Sequence, residues 1–175
     1  MNSPLLQVCR YIAFSIVVLT SQAAFGLTAD REQAIKIQAD TAVVDDKKGI
    51  TIYSGNVIID QGTLHITADE VKVLMSEREV MQIIASMAPR SKKLAHYQQL
   101  PDDDEELVSA DAEIITYFLQ EERLHLAGNA YLKQTRDTFS GELLHYDVAT
   151  GIVDLKGGSK TSSGRVQITL TPKSN

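Results

Sequence analysis

The sequence predicts an all-β fold (a sandwich, barrel or roll), and three observations carry that prediction. Apolar and polar residues alternate with period two in Ile35-Lys36-Ile37, Ile50-Thr51-Ile52, Leu64-His65-Ile66, Val71-Lys72-Val73, Leu124-His125-Leu126 and Val166-Gln167-Ile168-Thr169-Leu170. In extended chain such alternation puts the apolar set on one face and the polar set on the other. Turn residues break the pattern at short intervals: Asp45-Asp46-Lys47-Lys48-Gly49, Gly55-Asn56, Gln61-Gly62, Ala149-Thr150-Gly151, Gly157-Gly158 and Ser162-Ser163-Gly164. No tract carries a long helical stripe. Roughly sixteen strand candidates follow Leu27 on this reading.

Residues 1–26 read as a secretory signal peptide. Arg10 supplies the basic region, Tyr11 to Thr20 the apolar run, and Ala24 and Gly26 the small residues of a cleavage site. Ser21 and Gln22 end that run short of the ~20 residues a membrane anchor wants. Cys9 precedes the run, so it is not placed for lipid attachment, and the exported chain has no cysteine. The domain is expected over residues 27–171, with a short tail at 172–175. The 149 residues after the leader can build one core without disulfides.

Ala34 to Ala39 opens the domain as a candidate edge strand, and Gly164 to Leu170 closes it as another, stopped by Pro172. Between them, Thr67 to Met87 is the ambiguous tract. Thr67 and Glu70 mimic a capping box, but the β-branched EVKV favours a strand. Ser76-Glu77-Arg78 then forms the turn and Glu79 to Ala85 the returning strand.

A short phrase occurs twice. SGNVIIDQG begins at Ser54 and LAGNAYLKQ at Leu126; Gly55 and Gly128 lie 73 residues apart, as do Gln61 and Gln134. Gly supplies unusual backbone angles and Asn tolerates them, so Gly-Asn reads as a tight hairpin turn. Ala39-Asp40, Ala68-Asp69, Ala110-Asp111 and Ser140-Gly141 each open an apolar stretch, which suggests four short meanders with an insertion near Pro89 to Glu106.

Charge and chemistry exclude more than they suggest. The whole chain has a net charge of −6, and removing Arg10 with the leader makes it −7. Such a chain is poorly suited to nucleic acid, whose binding rests on phosphate neutralisation. It would hold an anionic lipid by the apolar part rather than by bulk charge. His65, His96, His125 and His145 sit mostly at polar steps of strands, as solvent-facing histidines rather than a metal site. The run Asp102 to Glu106 lacks the alternating ligands and central Gly of a calcium loop, so it reads as a solvated turn. No nucleophile elbow, phosphate loop or zinc-protease motif is present, and no catalytic residue set emerges. The apolar faces, such as Ile35 with Ile37 and Ile115, Tyr117 and Leu119, suit either a closed core or an open groove. With no tryptophan and two phenylalanines after the leader, Phe118 and Phe139, composition does not choose between these.

SGNVIIDQGTLHITADEVKV and LAGNAYLKQ, with the opening IKIQAD, resemble the LptA/OstA family of periplasmic lipopolysaccharide-transport bridge proteins. The likeness runs from about Leu27 to Leu155; KLAHYQQL and the acidic turn depart most from it, and His96 stands where the family tends to have an aromatic residue. The resemblance implies a twisted, open β-jellyroll of about sixteen antiparallel strands with an apolar interior. It implies a non-catalytic periplasmic protein without cofactor, carrying lipopolysaccharide from the inner to the outer membrane. The acyl chains of the lipid A part would lie in the groove, lined by Ile35, Ile37, Ile52, Ile66, Ile115, Tyr117, Leu119 and Leu126. Further partners implied are the chain itself, head to tail, an inner-membrane lipopolysaccharide export complex at one end and an outer-membrane translocon at the other. Two other readings stay open: a periplasmic scaffold with a closed core, and a membrane-anchored relative of the same system.

Overall fold

A computed structural model describes Asp30 and residues 33–101, 107–158 and 164–172. The expected leader, Cys9, the acidic run 102–106 and the chain beyond Pro172 lie outside the described residues. Those described form twelve strands: β1 Lys36–Gln38, β2 Thr41–Asp45, β3 Ile50–Gln61, β4 Leu64–Ser76, β5 Glu79–Ser86, β6 Ala95–Gln99, β7 Val108–Ala112, β8 Ile114–Phe118, β9 Arg123–Gln134, β10 Asp137–Asp147, β11 Ile152–Lys156 and β12 Gln167–Thr169. Every pairing is antiparallel. The ambiguous tract is extended: Ser76 ends β4, Glu77 and Arg78 turn with positive φ, and β5 returns.

Four strands, β3, β4, β9 and β10, are 11–13 residues long and take different neighbours along their length. The first part of β3 pairs with β2 and its second part with β1. In the same way β4 passes from β6 to β5, β9 from β8 to β7, and β10 from β12 to β11. The sheet therefore folds along a corner into two walls. One wall runs β2-β3-β4-β5-β8-β9-β10-β11 and the other β1-β3-β4-β6-β7-β9-β10-β12. Each wall has eight rows. The expected strands number about sixteen; the described residues form twelve, which make sixteen rows because four are counted in both walls, and the fold is the expected all-β jellyroll.

The corner is where Gly-Asn belongs. Gly55 and Asn56 have φ of +83° and +46°, and Gly128 and Asn129 of +78° and +50°. These left-handed angles lie inside β3 and β9, where the register shifts between Ser54 and Val57 and opposite Gly141 and Leu143. The reading as hairpin turns is therefore corrected. Gly-Asn signals positive φ, but here positive φ makes a β-bulge that bends a strand from one wall to the other. Each bulge is fastened alike: Asn56 Nδ2 donates to Asp40 Oδ2 at 2.9 Å, and Asn129 Nδ2 to Glu113 Oε1 at 2.9 Å. The amides of Asp40 and Glu113 donate to the carbonyls of Gly55 and Gly128, again at 2.9 Å.

That equivalence corrects the four-meander reading too. Strand β3 maps onto β9 residue for residue at an offset of 73, and β2 maps onto β8. The repeat is two units of six strands, β1–β6 and β7–β12. The expected insertion between Pro89 and Glu106 contains β6, an integral strand whose counterpart is β12.

Between the walls lies the core. From one side come Val71, Ile83, Ile115, Leu126 and Tyr146, and from the other Ile59, Ile66, Tyr97, Ala110 and Leu132, all buried. Each large aliphatic side chain removed from water contributes about 1.5–3 kcal/mol. Alanines at 68, 95, 110, 112 and 130 line the inner side of the β6-bearing wall. Small side chains there let the facing wall approach.

Candidate functional site

Away from the corner, the wall tips diverge around a cavity of about 390 Å³. Gln61, Leu64 and Gln99 face it from the ends of β3, β4 and β6. Val80, Tyr117, Leu119 and Gln120 face it from the opposite wall, and Ile35 closes one side. Its floor is formed where the walls meet: the rings of Tyr97 and Tyr117 pack edge to face with centroids 5.6 Å apart. Tyr97 is fully enclosed, and burial pushes its phenol well above the ordinary value, with Tyr117 and Tyr146 adding to the effect. It is therefore neutral, and its hydroxyl donates to Gln99 Oε1. Asp30 and Glu79 add carboxylates to the rim.

Seven of the eight sequence-expected lining residues face the interior. Ile66, Ile115, Tyr117 and Leu126 are buried in it, and Ile35, Ile37 and Leu119 pack against it half-exposed. Of these, Ile35, Tyr117 and Leu119 border the cavity itself. Ile52 does not join them and is corrected: it pairs with Val43 on one side and Lys72 on the other, on the outer face. The inward residues of that part of β3 are Thr51 and Tyr53. In the tract Ile50-Thr51-Ile52 the usual rule is inverted, so alternation alone chose the wrong face.

Sequence reasoning missed Tyr97, Val80, Gln61 and Gln99, and read Leu64 as inward-facing without naming it as lining. Tyr97 was legible in Ala95-Tyr97-Gln99, every second residue of one strand, but the polar Gln at its end masks the apolar row. His96, one residue away, points outward and contacts Asp111 at 2.8 Å. The remaining histidines are also on the outer face: His65 contacts Asp60 at 2.7 Å, and His125 stacks on His145 at 4.2 Å. Partial burial, then the neighbouring His145 and Arg123, lower the pKa of His125. Among the described residues no cluster of His, Cys, Asp and Glu can hold a metal ion.

Two pairs of strands are left at the ends of the walls. β1 and β2 pair only with β3, and β11 and β12 only with β10, among the described residues. The expected edges Ala34–Ala39 and Gly164–Leu170 coincide with β1 and β12; β2 and β11 were not anticipated as edges.

A sequence model of the family described as LptA/(LptD N-terminal domain) LPS transport protein matches residues 36–152. The lipopolysaccharide export system protein LptH of Pseudomonas aeruginosa is 34% identical over 154 residues, 87% of this chain and 86% of that protein. LptA of Haemophilus influenzae is 30% identical, covering 93% and 91%, and LptA of Escherichia coli K12 is 32% identical, covering 75% and 69%. The crystal structure of P. aeruginosa LptH, described as the LptA-homologous periplasmic component of the lipopolysaccharide transport device, superimposes with a TM-score of 0.71. It is 32% identical, over 82% of this chain and 99% of that one. Two folded-over walls, the paired bulges and this agreement across nearly the whole described chain lead to one conclusion: the chain belongs to the LptA family of lipopolysaccharide transport proteins.

Proposed function

We propose that this chain is a periplasmic carrier that passes lipopolysaccharide along the space between its walls, with acyl chains inside and sugars outside, as one link of a head-to-tail bridge between the two membranes. One observation carries the reading: the chain already contains the joint that the bridge needs. Inside it, unit one meets unit two through β5 against β8 and β6 against β7, and both walls run on unbroken. The end strands β11 and β12 are the counterparts of β5 and β6, and β2 and β1 of β8 and β7. Repeating the internal joint between copies puts Val153 beside Val44 and Leu155 beside Ala42 of the next copy. In the other wall Ile168 falls beside Ile37 and Leu170 beside Ile35 of the next copy. All eight are apolar and lie on the inward rows, so the interior wall continues from copy to copy. Unpaired strand edges supply the driving backbone hydrogen bonds, and a head-to-tail contact of this kind propagates.

Burying acyl chains contributes about 0.8 kcal/mol per methylene, which outweighs the charge penalty of bringing a phosphorylated lipid to an acidic protein. Passage requires the walls to part at Tyr97 and Tyr117, where they hold together through side chains with no β-pairing between β6 and β8. The expected contacts with an inner-membrane export complex and an outer-membrane translocon belong to the same proposal, at the two open ends.

The test is photo-crosslinking of lipopolysaccharide in cells at Ile37, Ile66 and Tyr117, with outward-facing Ile52 as the control. Adducts at the first three and not at Ile52 are expected. Labelling of Ile52 alone, or of none, would leave a scaffold with a closed core as the better account.

A further inference from the structure

Three polar side chains are buried among the described residues, Thr51, Gln61 and Gln99, and two of these border the cavity between the wall tips. Gln99 is the more enclosed at 3% exposure. It sits on the inward row of β6 after Ala95 and Tyr97, where the counterpart in the second unit is Leu170. A buried amide is costly unless its hydrogen bonds are made. Half of the Gln99 amide is accounted for: the Tyr97 phenol donates to its Oε1. A neutral phenol in that position has no other acceptor among the described residues, so the amide is held with its oxygen toward Tyr97 and its nitrogen away. No described residue accepts from that nitrogen, whereas the nitrogen of Gln61 is engaged by the Gln33 carbonyl at 3.0 Å. Two fixed N–H donors are thus left at the surface of a cavity where Ile35, Leu64, Val80, Tyr117 and Leu119 alternate with the polar Asp30, Gln61, Glu79 and Gln120.

Their complement is an acceptor that can enter beside aliphatic side chains. Asp30 and Glu79 border the same cavity, which disfavours a phosphate or a free carboxylate. A neutral carbonyl attached to a hydrocarbon chain meets both conditions. We propose that Gln99 is a ligand-contacting residue of the groove, donating to the ester or amide carbonyl that joins an acyl chain to its sugar headgroup. This rests on the lipid-carriage reading and adds to it a position: Gln99 sets how deep an acyl chain enters, because the carbonyl halts at its amide while the methylenes run on toward Tyr117 and Leu119.

The experiment uses the mature chain and two neutral sugar amphiphiles of equal chain length, sucrose monolaurate with an ester carbonyl and dodecyl maltoside without one. Both are titrated calorimetrically below their micellar concentrations. The wild type is expected to bind the ester roughly two- to tenfold more tightly, the range for one neutral hydrogen bond. Gln99→Leu and Gln99→Met are expected to lose that preference while still binding dodecyl maltoside. Equal affinity of the wild type for both compounds, or a preference that survives in a folded variant, overturns the role of Gln99 and leaves the groove standing. Failure of the wild type to bind either compound overturns the groove reading and this one with it.

Discussion

Tyr117 and Val44 hold the same place in the two units, on the inward rows of β8 and β2, 73 residues apart. Tyr117 is 5% exposed and Val44 62%. On the other wall Tyr97 is 0% exposed, and its counterpart Ile168 is 51% exposed. All four side chains are largely apolar and all four strands alternate in the same way, so polarity does not explain the difference. What differs is the neighbour. β8 lies against β5 and faces the other wall, whereas β2 has no strand beyond it among the described residues. In the proposed bridge the central joint and the open ends are one interface, completed once inside the chain and left for other copies at its two ends.

The largest expected effect tests that contrast directly. Tyr117→Ala removes a ring from the closed joint and is expected to destabilise the fold by about 3–5 kcal/mol in urea unfolding. Val44→Asp, at the open end, is expected to change monomer stability by less than about 0.5 kcal/mol. In size-exclusion chromatography across concentration, however, it should suppress self-association, because a charge is placed where Val153 of another copy is expected. A Val44→Asp cost approaching that of Tyr117→Ala would mean that the edge is covered within the monomer.

An intermediate effect is expected at the bulges, where the units should behave alike. At Gly55 and Gly128 a Cβ would fall against the side chains of Asp40 and Glu113, in backbone that ordinary residues rarely adopt. Gly55→Ala and Gly128→Ala should each cost about 1–3 kcal/mol. Similar losses in thermal melts would sharpen the equivalence of the two corners; a loss at one alone would break it.

The smallest effect is a pH dependence. Asp69 accepts from the Ala88 amide at 2.9 Å, and that bond, with help from Ser91 and then Lys93, lowers its pKa. The depressed carboxylate stabilises the fold above the unfolded value of about 4, and that contribution is lost as pH falls through the lower folded value. Asp69→Asn should therefore flatten the acid limb of the stability curve, lowering the melting temperature slightly at neutral pH and leaving it little changed in acid. An acid limb unaltered by the substitution would assign the dependence to other carboxylates.

Much of this molecule was legible in its residues. Period two gave the strands, and Leu64-His65-Ile66 and Leu124-His125-Leu126 gave the correct inward faces because the repeating step of an extended chain is local. The outward histidines followed from the same step. Gly-Asn was legible as positive φ but not as a bulge, since the same backbone angles serve a hairpin or a bend within a strand. Ile52 was misassigned for a related reason: which of two half-apolar faces turns inward depends on what lies across the sheet, and there the inward row carries Thr51 and Tyr53.

Local chemistry thus determined extended structure, several of the turns and, through the twice-written phrase, the existence of a repeat. The tertiary structure alone decided that strands cross a corner between two walls, that Gln99 and Tyr97 stand at one cavity, and that apolar Val44 and Ile168 remain at open edges. Those outcomes depend on pairing between residues far apart in the chain. A strand carries a record of its two faces in its own sequence, but none of the neighbour that will lie beside it.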